Sequence, residues 1–292
     1  MIAVLRPPFP SLSADNSISS GGAGHVYAIG QHLVLKCPIV LDNPHPTQVA
    51  MMEESKIQID CEKAIYKVLM ENRHPHIVHA VLCVPEGIFM HRQATTLEAR
   101  LKNPGIPQDL KNRWMKQLSS ALSSLEHLGF AHGDLRPANI FLSTEEDIRL
   151  GDFDCTVKIG EKLKAGGGSY GKLYENYQFP DAGPMTEQYS LGSCIFTIQF
   201  GHEPWHEIDE PQKILKLIRN EFPDASGDEV FGEIIQKCWF GKYDSMREVE
   251  QDILSRLGLK EAENDCSGID EEFSSMLVAE CEAFLEKELR KP

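Results

Sequence analysis

Residues 131 to 154 read AHGDLRPANIFLSTEEDIRLGDFD, and no other stretch of the chain constrains the fold as strongly. Ile140 and Leu142, then Ile148 and Leu150, flank a polar turn running from Ser143 to Asp147. Apolar residues two apart on either side of a short polar link give a hairpin with one buried face. Asp134 stands at its entry, and Asp152 and Asp154 stand at its exit. His132, Asp134 and Asn139 are spaced as H-x-D-L-x-x-x-N, and Asp152 follows eighteen residues after Asp134. A polar turn between two buried strands would need no such set of side chains at fixed intervals.

The stretch resembles the catalytic loop and metal-binding motif of the protein-kinase-like phosphotransferases, H-R-D-L-x-x-x-N and D-F-G. The resemblance implies an α+β, two-lobed protein kinase-like fold, with a small β-rich N-lobe carrying one main helix and a larger helical C-lobe. It also implies ATP and Mg²⁺. Phosphoryl transfer is mostly positioning and charge neutralisation. One carboxylate must meet the attacking hydroxyl, and separate oxygen ligands must hold Mg²⁺, which prefers hard donors. By resemblance Asp134 is the base, Asn139 and Asp152 are the metal ligands, and Arg136 is the cation near the transferred phosphate.

Other parts of such a site are readable upstream. Ser19 to Val26 resembles the glycine loop G-x-G-x-x-G-x-V, with Ser at its first glycine. Gly21, Gly22 and Gly24 would let backbone N–H groups approach phosphates, and Val26 closes the motif. Lys36, in V-L-K on the next strand, matches the phosphate-contacting lysine. Its interval from Gly24 is short, and a tight turn at Gly30-Gln31 accounts for that. Glu62 in CEKAIY is expected to pair with Lys36, ahead of Glu53 and Glu54 in the same helix. Ile88 to His91 resembles the strand leading to the adenine hinge. Met90 would lie beside the adenine, and backbone groups of His91 to Gln93 would bond it.

Three positions depart from the family pattern. Gly133 replaces the arginine that reads a loop phosphate, and Asp154 replaces the glycine after Phe153. Glu187 replaces the aspartate that braces the catalytic loop. Downstream, E-Q-Y-S-L-G at 187–192, then Phe200-Gly201 and Pro204-Trp205, resembles a protein-kinase helix and turn. This favours a protein hydroxyl, of Ser or Thr, as acceptor over the small-molecule branch of aminoglycoside and choline kinase-like enzymes. The chain looks most like divergent fungal protein-kinase-like proteins. A pseudokinase, binding nucleotide or a partner without turnover, is the reading that the three departures support.

The periodicities predict helices near 48–71, 108–128, 186–200, 211–219, 228–239, 244–256 and 270–289. Ile57, Cys61, Ile65, Val68 and Leu69 are expected to share the buried face of the first. The domain reading is a flexible arm at 1–16, an N-lobe at 17–93, a C-lobe at 94–257 and an acidic helical tail at 258–292. Residues 261–292 carry ten acids and three bases, about half of the net charge of −15. That sign argues against nucleic acid or an anionic membrane as partner. Phe273, Met276, Leu277, Phe284 and Leu285 need cover from a lobe or from a docking partner. Eight scattered cysteines with no C-x-x-C suit a reduced, intracellular protein. The proline-broken first fifteen residues do not read as a secretory leader.

Overall fold

The alternation between His25 and Cys37 folds into strands with one face buried and the other largely half-buried. In a computed structural model, which describes residues 4–166, 168–174, 178–259 and 271–290, the chain divides into two compact units. One comprises residues up to Gln93 together with the C-terminal helix, and the other runs from Ala94 to Asp265.

The first unit is built on β1 (Ser17–Ser20), β2 (His25–Ile29), β3 (Leu33–Cys37), α1 (Pro46–Glu71), β4 (Ala80–Val84) and β5 (Gly87–His91). The sheet is antiparallel throughout, in the order β1-β2-β3-β5-β4. Its register sets Val26, Lys36 and Ile88 side by side on one face. Tyr27, Leu35 and Phe89 lie side by side on the other. In α1 the buried stripe is Ser55, Ile59, Glu62, Ile65, Tyr66 and Leu69. This corrects the expected face: Ile57 is 63% exposed. The helix is phased on Glu62, whose charged partner lies on the sheet, and residues three or four away follow it inward.

The second unit opens with a one-turn helix, Leu97–Leu101, and continues with α2 (Gln108–His127), β6 (Ile140–Leu142) and β7 (Ile148–Leu150). α3 (Pro184–Phe200), α4 (Glu210–Ile218), α5 (Gly232–Trp239) and α6 (Met246–Arg256) complete it. α2 holds the β6–β7 hairpin by polar contacts as well as by its apolar stripe. Trp114 Nε1 donates to the Glu146 carbonyl at 2.7 Å, and Gln117 Oε1 accepts from Ile148 N at 2.9 Å. α3 is buried from Thr186 to Ile198, as its apolar character on most faces requires. Gly192 lets α5 approach closely, since a Cβ there would lie 2.9 Å from Cys238 Cβ.

α7 (Glu271–Leu289) belongs to the first unit. Leu277 and Cys281 are buried in one cluster with Leu12, Tyr27, Ile29, Leu33, Leu35 and Phe89. The helix read as a tail therefore covers the sheet face opposite Lys36. Residues 4–16, read as a flexible arm, pack there too. Val4–Leu5 pairs with Leu41–Asp42, Phe9 and Leu5 join the cluster, and Leu12 is buried. Prolines 7, 8 and 10 break helical periodicity but leave apolar side chains to bury, which is why the segment reads as structureless. Among the described residues no helix is long and apolar enough to cross a membrane.

Candidate active site

Each unit carries part of the residue set read from the sequence. In the first unit, the β1–β2 turn closes with Gly21 N–H donating to the Gly24 carbonyl at 3.0 Å. Gly24 is required by close approach, because a Cβ there would lie 2.7 Å from the Cys37 carbonyl oxygen. Gly21 and Gly22 face open space. Ser55 fastens this turn to α1. Its hydroxyl donates to the Ala23 carbonyl at 2.8 Å and accepts from Ile39 N at 2.9 Å. Sequence reading did not single out Ser55, since a serine in a helix gives no local signal of a partner thirty-two residues away.

Lys36 Nζ and Glu62 Oε2 form an ion pair at 2.7 Å, with side chains 9% and 0% exposed. Burial of both charges raises the cost of removing either one, because the survivor would be left unpaired in a dry site. At the end of β5, Met90 is buried and the groups of His91 to Gln93 make bonds within the chain. His91 N–H donates to the His79 carbonyl at 3.0 Å. The His91 carbonyl accepts from Gln93 Nε2 at 3.1 Å. Arg92 N–H donates to the His32 carbonyl at 2.8 Å.

In the second unit the residues of the H-x-D-L-x-x-x-N stretch converge. Asp134 N–H donates to His132 Nδ1 at 3.3 Å, which makes that nitrogen the acceptor. Nε2 therefore carries the ring proton, and it donates to the Gly151 carbonyl at 2.9 Å. His132 thus links the loop before β6 to the segment after β7. Asn139 Nδ2 donates to Asp134 Oδ2 at 2.9 Å and to the Asp134 carbonyl at 2.8 Å. The Asn139 amide oxygen is the end turned away from Asp134. Burial holds the Asp134 carboxyl above the ordinary aspartate range. His132, Arg136 and the Asn139 bond oppose that push, while Asp152 reinforces it. Arg136 is exposed. Asp152 adopts φ of 64°, uncommon for a residue with a Cβ, and Phe153 beside it is fully buried.

Gly133 and Glu187 are accounted for together. Gly133 has φ of 80°, and a Cβ there would lie 2.5 Å from the Cys155 carbonyl oxygen. Arginine at this position would be strained in two ways. Glu187 Oε2 accepts from His132 N at 2.8 Å and Oε1 accepts from Gly133 N at 3.3 Å. Burial raises the Glu187 carboxyl pKa, with His132 and the two backbone bonds acting against it.

The described parts of the segment after the hairpin are held by contacts within the chain. Val157–Lys158 pairs with Phe130–Ala131, and Lys162 forms an ion pair with Asp181 at 2.8 Å. Ser169, 2% exposed, donates to Glu203 Oε2 at 2.9 Å. Glu203 also meets the buried Lys213, which pairs with Glu210 at 2.9 Å. Burial works against the charge on Lys213, but the two carboxylates outweigh it and its pKa is raised. Tyr170 Oη lies 3.0 Å from Thr197 Oγ1.

Comparison with known proteins decides the family. The protein kinase domain matches residues 17–239, well over half of the chain. This chain belongs to the protein kinase family. Within it, the chain is 25% identical over 226 residues to mitogen-activated protein kinase kinase kinase 4 of Mus musculus. That alignment covers 68% of this chain and 13% of the mouse protein. It is 25% identical over 207 residues to the carbon catabolite-derepressing protein kinase of Secale cereale, covering 66% of this chain and 40% of that one. With CBL-interacting serine/threonine-protein kinase 24 of Arabidopsis thaliana the identity is 28% over 178 residues, 56% of this chain and 39% of the plant kinase. The kinase domain here thus spans less than half the length of these relatives. α6 and α7 lie beyond the residues that the kinase family matches.

Proposed function

We propose that this protein kinase transfers the γ-phosphoryl group of ATP to a Ser or Thr hydroxyl of a protein. The observation that carries the reading is the bond from Asn139 Nδ2 to Asp134 Oδ2. It orients the carboxylate that would accept the hydroxyl proton, and it turns the amide oxygen outward as a ligand. Asp152 adds a carboxylate, so the donor set is hard oxygen and fits Mg²⁺. The ion, with Asn139 and Asp152 as ligands, would supply neutralisation of phosphate charge. Lys36, held by Glu62, would contact the phosphates, and Gly21, Gly22, Gly24 and Val26 would form the loop beside them. Met90, His91 and Gln93 would border the adenine. Arg136 keeps a cation near the transferred group. The Arabidopsis relative is named a serine/threonine-protein kinase, which supports Ser or Thr as acceptor.

The test is transfer of labelled γ-phosphate from ATP with Mg²⁺ to generic protein acceptors, set against aminoglycosides and choline. Labelled protein is the expected result. Labelled small molecules alone would overturn the acceptor assignment. A second reading, a pseudokinase, draws on Gly133, Asp154 and Glu187, and on the His91 carbonyl being bonded by Gln93. It calls for nucleotide binding with no label transferred to any acceptor.

A further inference from the structure

α7 presents a continuous stripe to the sheet. Phe273, Leu277, Cys281, Phe284 and Leu285 recur at helical spacing and all join the cluster on the face opposite Lys36. The helix runs along β4, whose Val81, Leu82 and Val84 join the same cluster, and its rings reach across to β5 and the β2–β3 turn. The Phe284 ring lies 5.8 Å from Phe89 and 5.4 Å, edge-on, from Phe9 of the N-terminal segment. The Phe273 ring lies 4.9 Å from His91 and 6.0 Å from His32. Glu280 sits against the Gly30 turn, where a Cβ would collide with its carboxylate. Glu288, buried at the far end, accepts from Ser11 N at 3.1 Å. Aromatic pairs of this geometry contribute beyond the area they bury.

Phe89 and His91 alternate along β5 with Ile88 and Met90, which face the Lys36 side. A strand packed on one face only has slack in the direction of its bare face. Here α7 and Phe9 remove that slack. We propose that α7, with Phe9, is a buttress for β5 and the β2–β3 turn, acting as a positioning element for the strand that would border adenine. The effect on nucleotide rests on the reading given above; the buttress itself rests on packing.

The experiment uses full-length Leu277→Asp, which places a charge in the centre of the stripe. Hydrogen–deuterium exchange is followed without nucleotide, with α2 of the second unit as internal reference. Amides of α7, β3 and β5 should exchange about tenfold faster or more, with those of α2 unchanged. Faster exchange in α7 alone would overturn the proposal, because the helix would then be a passenger. If the whole first unit loses protection, Phe273→Ala decides. It should raise exchange at His91 and raise the ATP KM about threefold with kcat unchanged, and Phe273→Tyr should restore both. Equal loss of kcat and KM effect in both variants would mark a general structural role and overturn the positioning role. Failure of the wild type to bind nucleotide would strike the nucleotide reading and leave the exchange result standing as the test of the buttress.

Discussion

Glu62 in α1 and Glu187 in α3 are both buried carboxylates, yet they hold their surroundings by different means. Glu62 meets a side-chain cation, Lys36, at 2.7 Å. Glu187 meets two backbone N–H groups, those of His132 and Gly133. A pair of side chains exists only while its helix and strand are in register, so it reports position. A carboxylate bonded to backbone fixes the path of the chain itself. Gly133 follows from this, because the path it takes has φ of 80° and no room for a Cβ. The first unit holds an element that registers its own geometry, and the second holds a rigid brace.

The comparison can be broken at four places. The ceiling is set by the residue that the brace serves. Asp134→Asn should lower kcat by about 10²–10⁴-fold, the range for a general base, while nucleotide affinity measured by calorimetry stays nearly constant. Unchanged turnover would remove Asp134 from the chemistry.

Next is Glu187→Ala, which strands two buried N–H donors. Each costs about 1–3 kcal/mol, so denaturant unfolding should show a loss of about 2–6 kcal/mol. A loss below about 1 kcal/mol would show that the brace is dispensable. Because burial raises the folded pKa of Glu187, its contribution to stability is fully present below the unfolded carboxyl pKa. It is lost as pH rises through the folded pKa. Glu187→Gln should flatten that part of the stability–pH curve, and melting temperatures across the acid range would reveal it. An identical slope in wild type and variant would contradict the sign.

Glu62→Gln should act on position and less on the fold. We expect the ATP KM to rise about tenfold, about 1.4 kcal/mol, with the second unit's stability unchanged. A variant with wild-type KM would mean that the ion pair does not set the lysine's place.

The smallest effect concerns the segment after the hairpin. Ser169 and Tyr170 are bonded to Glu203 and Thr197, and Gly133 leaves no arginine to read a phosphate. Phosphatase-treated protein, and Ser169→Ala with Tyr170→Phe, should keep activity within about threefold of untreated wild type. A loss of about tenfold or more would show a phosphate switch and another cation in the missing role.

Legibility followed the range of the contact. The β6–β7 hairpin and the Asp134–Asn139 pair lie within a few residues of each other, so local pattern carried them. The helices were readable within a few residues at each end, since their apolar stripes are long. Two-residue strands such as Val4–Leu5 and Thr95–Thr96 have no period to detect. Glu187 lies fifty-five positions from His132 and was legible only through family resemblance. Ile57 is apolar yet lies on the exposed face, because the phase of α1 follows Glu62. The cover over the sheet was legible from the helix side, since the stripe from Phe273 to Leu285 needs a lobe or a partner to cover it, and β2 and β3 carry the matching sign of apolar residues on both faces, because a second apolar face requires a second layer.

That second layer changes the order in which the molecule can be completed. Ser11 and Glu288 are 277 positions apart and bonded to each other. During synthesis, β1 to β5 emerge long before α7, and the entire second unit is made in between. Contacts of such high sequence separation form late and slow the final step of folding. Until then the nascent sheet shows the ribosome's surroundings the ring of Phe89 and the side chains of Leu33 and Leu35. Such a surface is a target for chaperones and a seed for aggregation in the interval.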